Sequence, residues 1–166
     1  LPALDRVSVA AGDFAGSLKS GGAEISKRPF NEMGGEEIVV HPNGSGSAWI
    51  EIPFDVKVKE PLHLILGGTA SPDGGRYQPY LNGVKIGGLM DFYAAAPAEK
   101  VYDLLDFWPE PGRYALRLES AGRDVRSGGT AAAVESVRLL ERRPRVAAFG
   151  HDKDKDWRKA PILYIG

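Results

Sequence analysis

The chain has no cysteine, no long apolar run and no excess of charge of one sign, and each lack closes off a class of function. Without Cys there is no disulfide framework and no thiolate chemistry, although compartment stays open on that ground. No stretch approaches the roughly 18–20 consecutive apolar residues of a membrane helix, so no membrane insertion is expected. Lys and Arg number 21 against 22 Asp and Glu, interleaved along the chain, for a net charge of −1. Such a balance offers no field to attract a nucleic-acid backbone, and no nucleic-acid partner is expected. Catalytic signatures are missing too. There is no Gly-x-Ser-x-Gly elbow, and Gly44-Ser45-Gly46-Ser47 lacks the Lys and the following helix of a phosphate loop. His41, His63 and His151 are scattered without ligand spacing. The expectation is a protein that is not an enzyme.

What is present is punctuation. Twenty-one Gly and 12 Pro in 166 residues favour many turns and short strands. Between them lie short apolar-alternating runs: Glu36 to His41, Ala48 to Phe54 with Asp55 to Lys59 as its continuation, Leu62 to Leu66, Leu89 to Tyr93, Lys100 to Leu105, Arg113 to Glu119 and Ala132 to Glu141. In Ala48 to Phe54, Ile50, Ile52 and Phe54 share one face and Trp49 and Glu51 the other, as a period of two demands. Arg6 to Ala10 is a weaker run, and Gly16 to Gly22 and Gly67 to Gly75 read as loops. Asn82-Gly83 supplies two residues tolerant of positive φ, which makes Tyr80-Leu81 and Val84-Ile86 the arms of a tight hairpin. Helical alternatives exist at Asp91 to Ala98 and Thr130 to Val134, but Pro97 limits the first and β-branched residues follow the second. The spacing predicts an all-β fold, an antiparallel β-sandwich or jelly roll with short connecting turns, over residues 1–143.

Several of these elements together resemble a known family. Tyr80-Leu81-Asn82-Gly83-Val84, Met90-Asp91-Phe92-Tyr93, Pro111-Gly112-Arg113-Tyr114-Ala115-Leu116-Arg117-Leu118, Ala121-Gly122-Arg123, Ser127-Gly128-Gly129 and Val134-Glu135-Ser136-Val137-Arg138-Leu139 are similar to the galactose-binding-like jelly roll found beside bacterial glycoside hydrolases and in large exported proteins. The resemblance covers residues 76 to 141. It departs from the usual pattern at Thr130, where an aromatic residue often stands, and at Glu135, where Asp is frequent. It implies a carbohydrate-binding or accessory module of an exported protein, extracellular or periplasmic, with room for a structural Ca²⁺ at the sandwich edge but no residue assigned to it.

Sugar recognition needs an aromatic face for the C–H side of the ring and planar polar groups for the hydroxyls. Trp49, Tyr77, Tyr80, Tyr93, Trp108 and Trp157 are the aromatic supply. Tyr77 follows Gly74-Gly75 at the mouth of a loop, with Arg76 and Gln78 beside it, and this is the preferred recognition edge. Trp108, in the turn before Pro111-Gly112, is the second aromatic contact, and Asp73 and Asp91 are candidate acceptors for hydroxyls. Trp49 points to the solvent side or to a second core.

The remaining segment, 144–166, reads as a charged linker and an apolar tail. Asp152, Asp154 and Asp156 alternate as at the start of a calcium loop, but Trp157 stands where the turn needs Gly and Leu163 where the bidentate Glu belongs. Pro161 to Ile165 invites pairing with a sheet edge, its own or a neighbour's. The alternative function is therefore a structural or assembly module that docks a larger protein, or forms an oligomer, through its sheet edge and that C-terminal tail. Opening on Leu1 fits a processed precursor or a piece of a longer polypeptide.

Overall fold

The computed structural model describes residues 5–31, 34–44 and 47–142. Along them run β1 (Asp5–Ala10), α1 (Ala11–Phe14), β2 (Lys19–Gly21), β3 (Ala23–Asn31), β4 (Gly34–Pro42), β5 (Trp49–Val56), β6 (Leu62–Ala70), β7 (Arg76–Leu81), β8 (Val84–Lys85), β9 (Met90–Asp91), β10 (Ala98–Phe107), β11 (Gly112–Ser120) and β12 (Ala132–Glu141). Two antiparallel sheets face each other. One has the order β10-β6-β12-β4-β3 with β1 on β12, the other β2-β5-β11-β7-β8 with β9 on β7. The all-β sandwich expected from the alternation is the fold.

Parity builds the core. Ile50, Ile52, Phe54 and Val56 of β5, Leu116 and Leu118 of β11, Leu62, Leu64 and Leu66 of β6, and Val137 and Leu139 of β12 are all buried between the sheets. Register locks them together: Leu116 lies opposite Ile52 and Leu118 opposite Ile50, while Leu139 faces Leu64 and Val137 faces Leu66. Each such side chain contributes about 1.5–3 kcal/mol on full burial, and a one-residue slip would turn every one outward. Phe54 and Tyr114 stack with ring centroids 5.8 Å apart inside the same layer.

The Asn82-Gly83 hairpin forms as expected. Both residues have positive φ, 48° and 81°, and Leu81 pairs with Val84 across the two-residue loop. Elsewhere the structure corrects the sequence. Gly67 and Gly68, expected in a loop, lie inside β6, which continues to Ala70. A Cβ at Gly68 would stand 2.0 Å from the Ala133 carbonyl, so glycine here permits close strand approach. The run past Phe54 stops at Val56 rather than Lys59. Within the expected loop Gly16 to Gly22 sits the short strand β2, and α1 just before it buries Phe14. The nine-residue β3 has no counterpart among the sequence expectations: it is an exposed edge strand rich in polar residues, with little alternation. Neither helical alternative is taken up.

Trp49 resolves to the outward face of its sheet. The Arg117 guanidinium lies 4.1 Å over its ring, and Gly21 leaves room for the ring edge on the neighbouring strand. Arg117 thus covers one face of the ring, and Trp49 is half-buried.

Candidate functional site

Three connections meet at one end of the sandwich: 71–75, 92–97 and 121–131. They are stitched by backbone hydrogen bonds, Ser71 N to the Phe92 carbonyl (2.9 Å), Ala94 N to Ser71 (3.0 Å), Gly75 N to Ala131 (2.8 Å), Ala131 N to Asp73 (2.9 Å) and Gly128 N to Pro72 (2.9 Å). The Ser127 hydroxyl is buried beneath them and donates to the Gly74 carbonyl at 2.7 Å. With so many backbone groups satisfied internally, the end is a preorganised rim.

A chain of charges lies on that rim. β7–β9 pairing sets Arg76 opposite Asp91, and the Arg76 guanidinium spans from Asp91 Oδ2 to Asp124 Oδ2, each at 3.4 Å. Arg126 grips Asp124 with Nε and Nη2, both at 2.9 Å, and its backbone N–H donates to the same carboxylate. These bonds hold the Asp124 carboxyl well below the usual carboxylate range. The Arg126 guanidinium also stands 5.0 Å over the Tyr93 ring. Asp91 is the hub. Its Oδ1 caps the Tyr93 N–H, and its backbone carbonyl accepts from Lys100 Nζ and the Tyr102 hydroxyl, both at 2.9 Å. Burial, with the Asp91 charge beside it, pushes the Tyr102 hydroxyl far above its ordinary pKa, so it stays a donor.

Beside this rim a groove of about 390 Å³ runs between β9 with its preceding loop and the edge strand β10. Its volume lies in the range of small-ligand sites. Leu89 and Val101 are 52% and 61% exposed on its walls, and Asp91, Lys100, Tyr102 and Asp103 supply polar groups. Asp91 and Lys100 belong to groove and rim alike, so the two form one continuous surface.

No protein-family model and no curated protein matches the chain. Its fold does match solved structures. A Paenibacillus xanthan lyase superposes with TM-score 0.58 at 20% identity over 77% of this chain, which corresponds to 13% of the lyase. A family 35 carbohydrate-binding module from Paenibacillus barcinonensis gives TM-score 0.53 at 15% identity, covering 80% of this chain and 97% of the module. The first family 36 carbohydrate-binding-module domain of a multidomain xylanase from the hindgut metagenome of Trinervitermes trinervoides gives 0.51 at 15% identity, over 83% and 98%. The fold is that of a carbohydrate-binding-module-type β-sandwich.

In this β-sandwich the residues singled out from sequence scatter. Arg76 and Asp73 are on the rim, Arg76 half-exposed and Asp73 exposed. Tyr77 is not. It is fully buried, meets Phe92 edge-on with ring centroids 5.6 Å apart, and donates its hydroxyl to the Thr130 carbonyl at 2.6 Å. Alternation along β7 turns Arg76 and Gln78 outward and Tyr77 inward, which removes Tyr77 from any recognition edge. Gln78 is also corrected: it is buried, and its amide Nε2 donates to the carbonyls of Pro79 and Ile86 at 3.1 Å, leaving those donors committed. Trp108 follows the far end of β10, about 30 Å along the strand from the rim by the rise per residue. It is half-buried, with its indole N–H enclosed and without a partner among the described residues, so it does not join Arg76 in one site. The side chains that the structure does bring together beside Arg76 are Tyr93, Asp124, Arg126 and Lys100. Their sequence signals are faint: Tyr93 is one of several aromatics, and Asp124-Val125-Arg126 is a short turn after Gly122 that matches no motif.

The calcium expectation meets this donor set poorly. Among the described residues no group of three or more His, Asp or Glu side chains could hold a metal. The rim carboxylates Asp91 and Asp124 are already met by guanidinium groups, which disfavours a cation there. Asp152, Asp154, Asp156, the apolar tail and the rest of the expected 144–166 segment, with its boundary to the body, lie outside the described residues. Among the described residues no helix is long and apolar enough to cross a membrane.

Proposed function

We propose that this domain is a carbohydrate-binding module, an accessory part of an exported protein, that holds a glycan in the β9–β10 groove and against the adjoining rim. The observation that carries the reading is the junction of the two at Asp91 and Lys100. There an apolar wall of Leu89 and Val101 continues into hydrogen-bonding groups held by loops that are themselves internally bonded. Apolar walls accept the C–H faces of a sugar, and planar guanidinium and carboxylate groups read its hydroxyls. Arg76, Asp73, Lys100, Arg126 and Tyr93 are the proposed polar and aromatic contacts. The likeness to carbohydrate-binding modules supports the class of ligand at the level of fold.

Affinity electrophoresis through gels containing xanthan or xylan, followed by a glycan array, tests this. One or more polysaccharides should retard the chain, and Lys100→Ala, Arg126→Ala and Val101→Asp should each weaken retention about tenfold, the loss of one charge-assisted contact or one apolar wall. Trp108→Ala should retain full binding. Retention that survives all three groove and rim variants, or that disappears with Trp108→Ala in a folded protein, moves the site elsewhere; no response to any glycan removes the reading.

A further inference from the structure

His63 sits on the outward face of β6, opposite Asp106 of β10 on one side and Leu140 of β12 on the other. Its Nε2 lies 2.7 Å from Asp103 Oδ1, and its Nδ1 is bonded to Asp106 Oδ1. A neutral imidazole has one N–H and one lone pair, so it can serve one of these carboxylates and must turn a lone pair toward the other. Only the imidazolium donates to both.

The two acids flank an irregularity. Asp103 pairs with Ile65 and Leu105 with Leu64, so Leu104 is an extra residue, a bulge that re-aims the edge strand. Asp103 and Leu104 both line the groove. Other charges near His63 are few among the described residues. From β10 come only Asp103 and Asp106. From the β12 side, Leu140 brings no charge, Arg138 is engaged by Asp5 at 2.8 Å, and Arg142 reaches the far oxygen of Asp106 at 3.5 Å. β6 itself flanks His63 with Leu62, Leu64 and Ile65.

We propose that His63 is a positioning residue for the groove: as an imidazolium it clamps Asp103 and Asp106 across the Leu104 bulge, and loss of its proton frees Asp103 and weakens ligand binding. The binding half of this rests on the groove being the glycan site. Burial alone would lower the His63 pKa, but the bonds and charges of Asp103 and Asp106 together outweigh it and raise the value above 6.5. Because the folded value is the higher one, the clamp is complete below about 6.5 and is lost as pH rises through the folded pKa.

The test uses the whole chain and two readouts. In ¹H–¹⁵N spectra recorded between about pH 5.5 and 8.5, the amides of Asp103 and Leu104 should shift with the midpoint of the His63 ring, and should stand still in His63→Gln. Asp103→Asn should move the His63 midpoint down. In the same pH range, retention by whichever polysaccharide binds should fall about two- to fivefold in the wild type and stay flat in His63→Gln, as expected for an exposed charge pair. Amides that do not follow the ring, or that shift equally in His63→Gln, overturn the clamp. Retention independent of pH while the amides shift overturns its link to binding. If no polysaccharide binds, the groove reading fails by itself and the amides still decide the clamp.

Discussion

Tyr77→Ala lowers the free energy of unfolding by about 3–5 kcal/mol, the usual cost of removing a fully buried large aromatic side chain. That is a large share of the roughly 5–15 kcal/mol that a domain possesses in total. The size follows from position. Tyr77 has no exposed surface, packs edge-on against Phe92, and through Phe92 adjoins Tyr102, whose ring centroid is 4.8 Å from that of Phe92. It also reaches the Thr130 carbonyl, so the same side chain anchors the 121–131 connection to β7. Burial drives its hydroxyl pKa far above the ordinary value, which keeps that donor in place at any pH where the protein is handled. Tyr77→Phe retains the ring and loses one hydrogen bond, leaving a carbonyl unmet, and should cost about 1 kcal/mol. Urea unfolding monitored by circular dichroism separates the three proteins. A Tyr77→Ala midpoint close to that of Tyr77→Phe would show that the ring is not held by the core. Any loss of glycan retention in Tyr77→Ala then belongs to a loosened rim, not to a missing contact.

The same residue shows where reading the sequence succeeded and where it stopped. Strand alternation at Trp49–Val56, the Asn82-Gly83 turn and the apolar run from Leu62 are local signals, and each produced its element. Parity was available as well: in any strand through Arg76, Tyr77 and Gln78, the middle side chain must face away from its two neighbours. Arg76, Tyr77 and Gln78 therefore cannot all line one edge. What no local pattern carries is the meeting of Arg76, Asp91, Tyr93, Asp124 and Arg126. Arg76 reaches Asp91 through the β7–β9 register, and Asp124 reaches both arginines because the 121–131 connection folds back over Gly74 and Gly75. The groove is equally non-local, since its walls come from two sheets: β9 belongs to one and β10 to the other. The edge strand β3 is illegible in the sequence for a different reason. Its charged face is what protects an exposed edge from further pairing, and that protection erases the periodicity by which strands are found.

Gly74→Ala should be as damaging to the rim as Tyr77→Ala is to the core. A Cβ at Gly74 would lie 1.6 Å from the Phe92 carbonyl oxygen and 2.1 Å from its carbon, and neither can be relieved by a change of rotamer because both are backbone. Phe92 would have to retreat, yet its carbonyl accepts from Ser71 N and its N–H donates to Gly75, both at 2.9 Å. Overpacking of this kind costs about 1–3 kcal/mol, and each hydrogen bond lost adds about 0.5–1.5 kcal/mol, so a total near 3 kcal/mol or more is expected. Tyr93 and Asp91 flank Phe92 and would be displaced with it. Gly74→Ala should therefore lose stability and polysaccharide retention together, whereas Lys100→Ala should lose retention at an unchanged urea midpoint. Gly16→Ala places its Cβ in open space and should stay within about 0.5 kcal/mol of the wild type. A Gly74→Ala protein that unfolds with the wild type would mean that the 71–75 and 92–97 connections can separate freely. In that event the rim would have no fixed geometry with which to select a sugar.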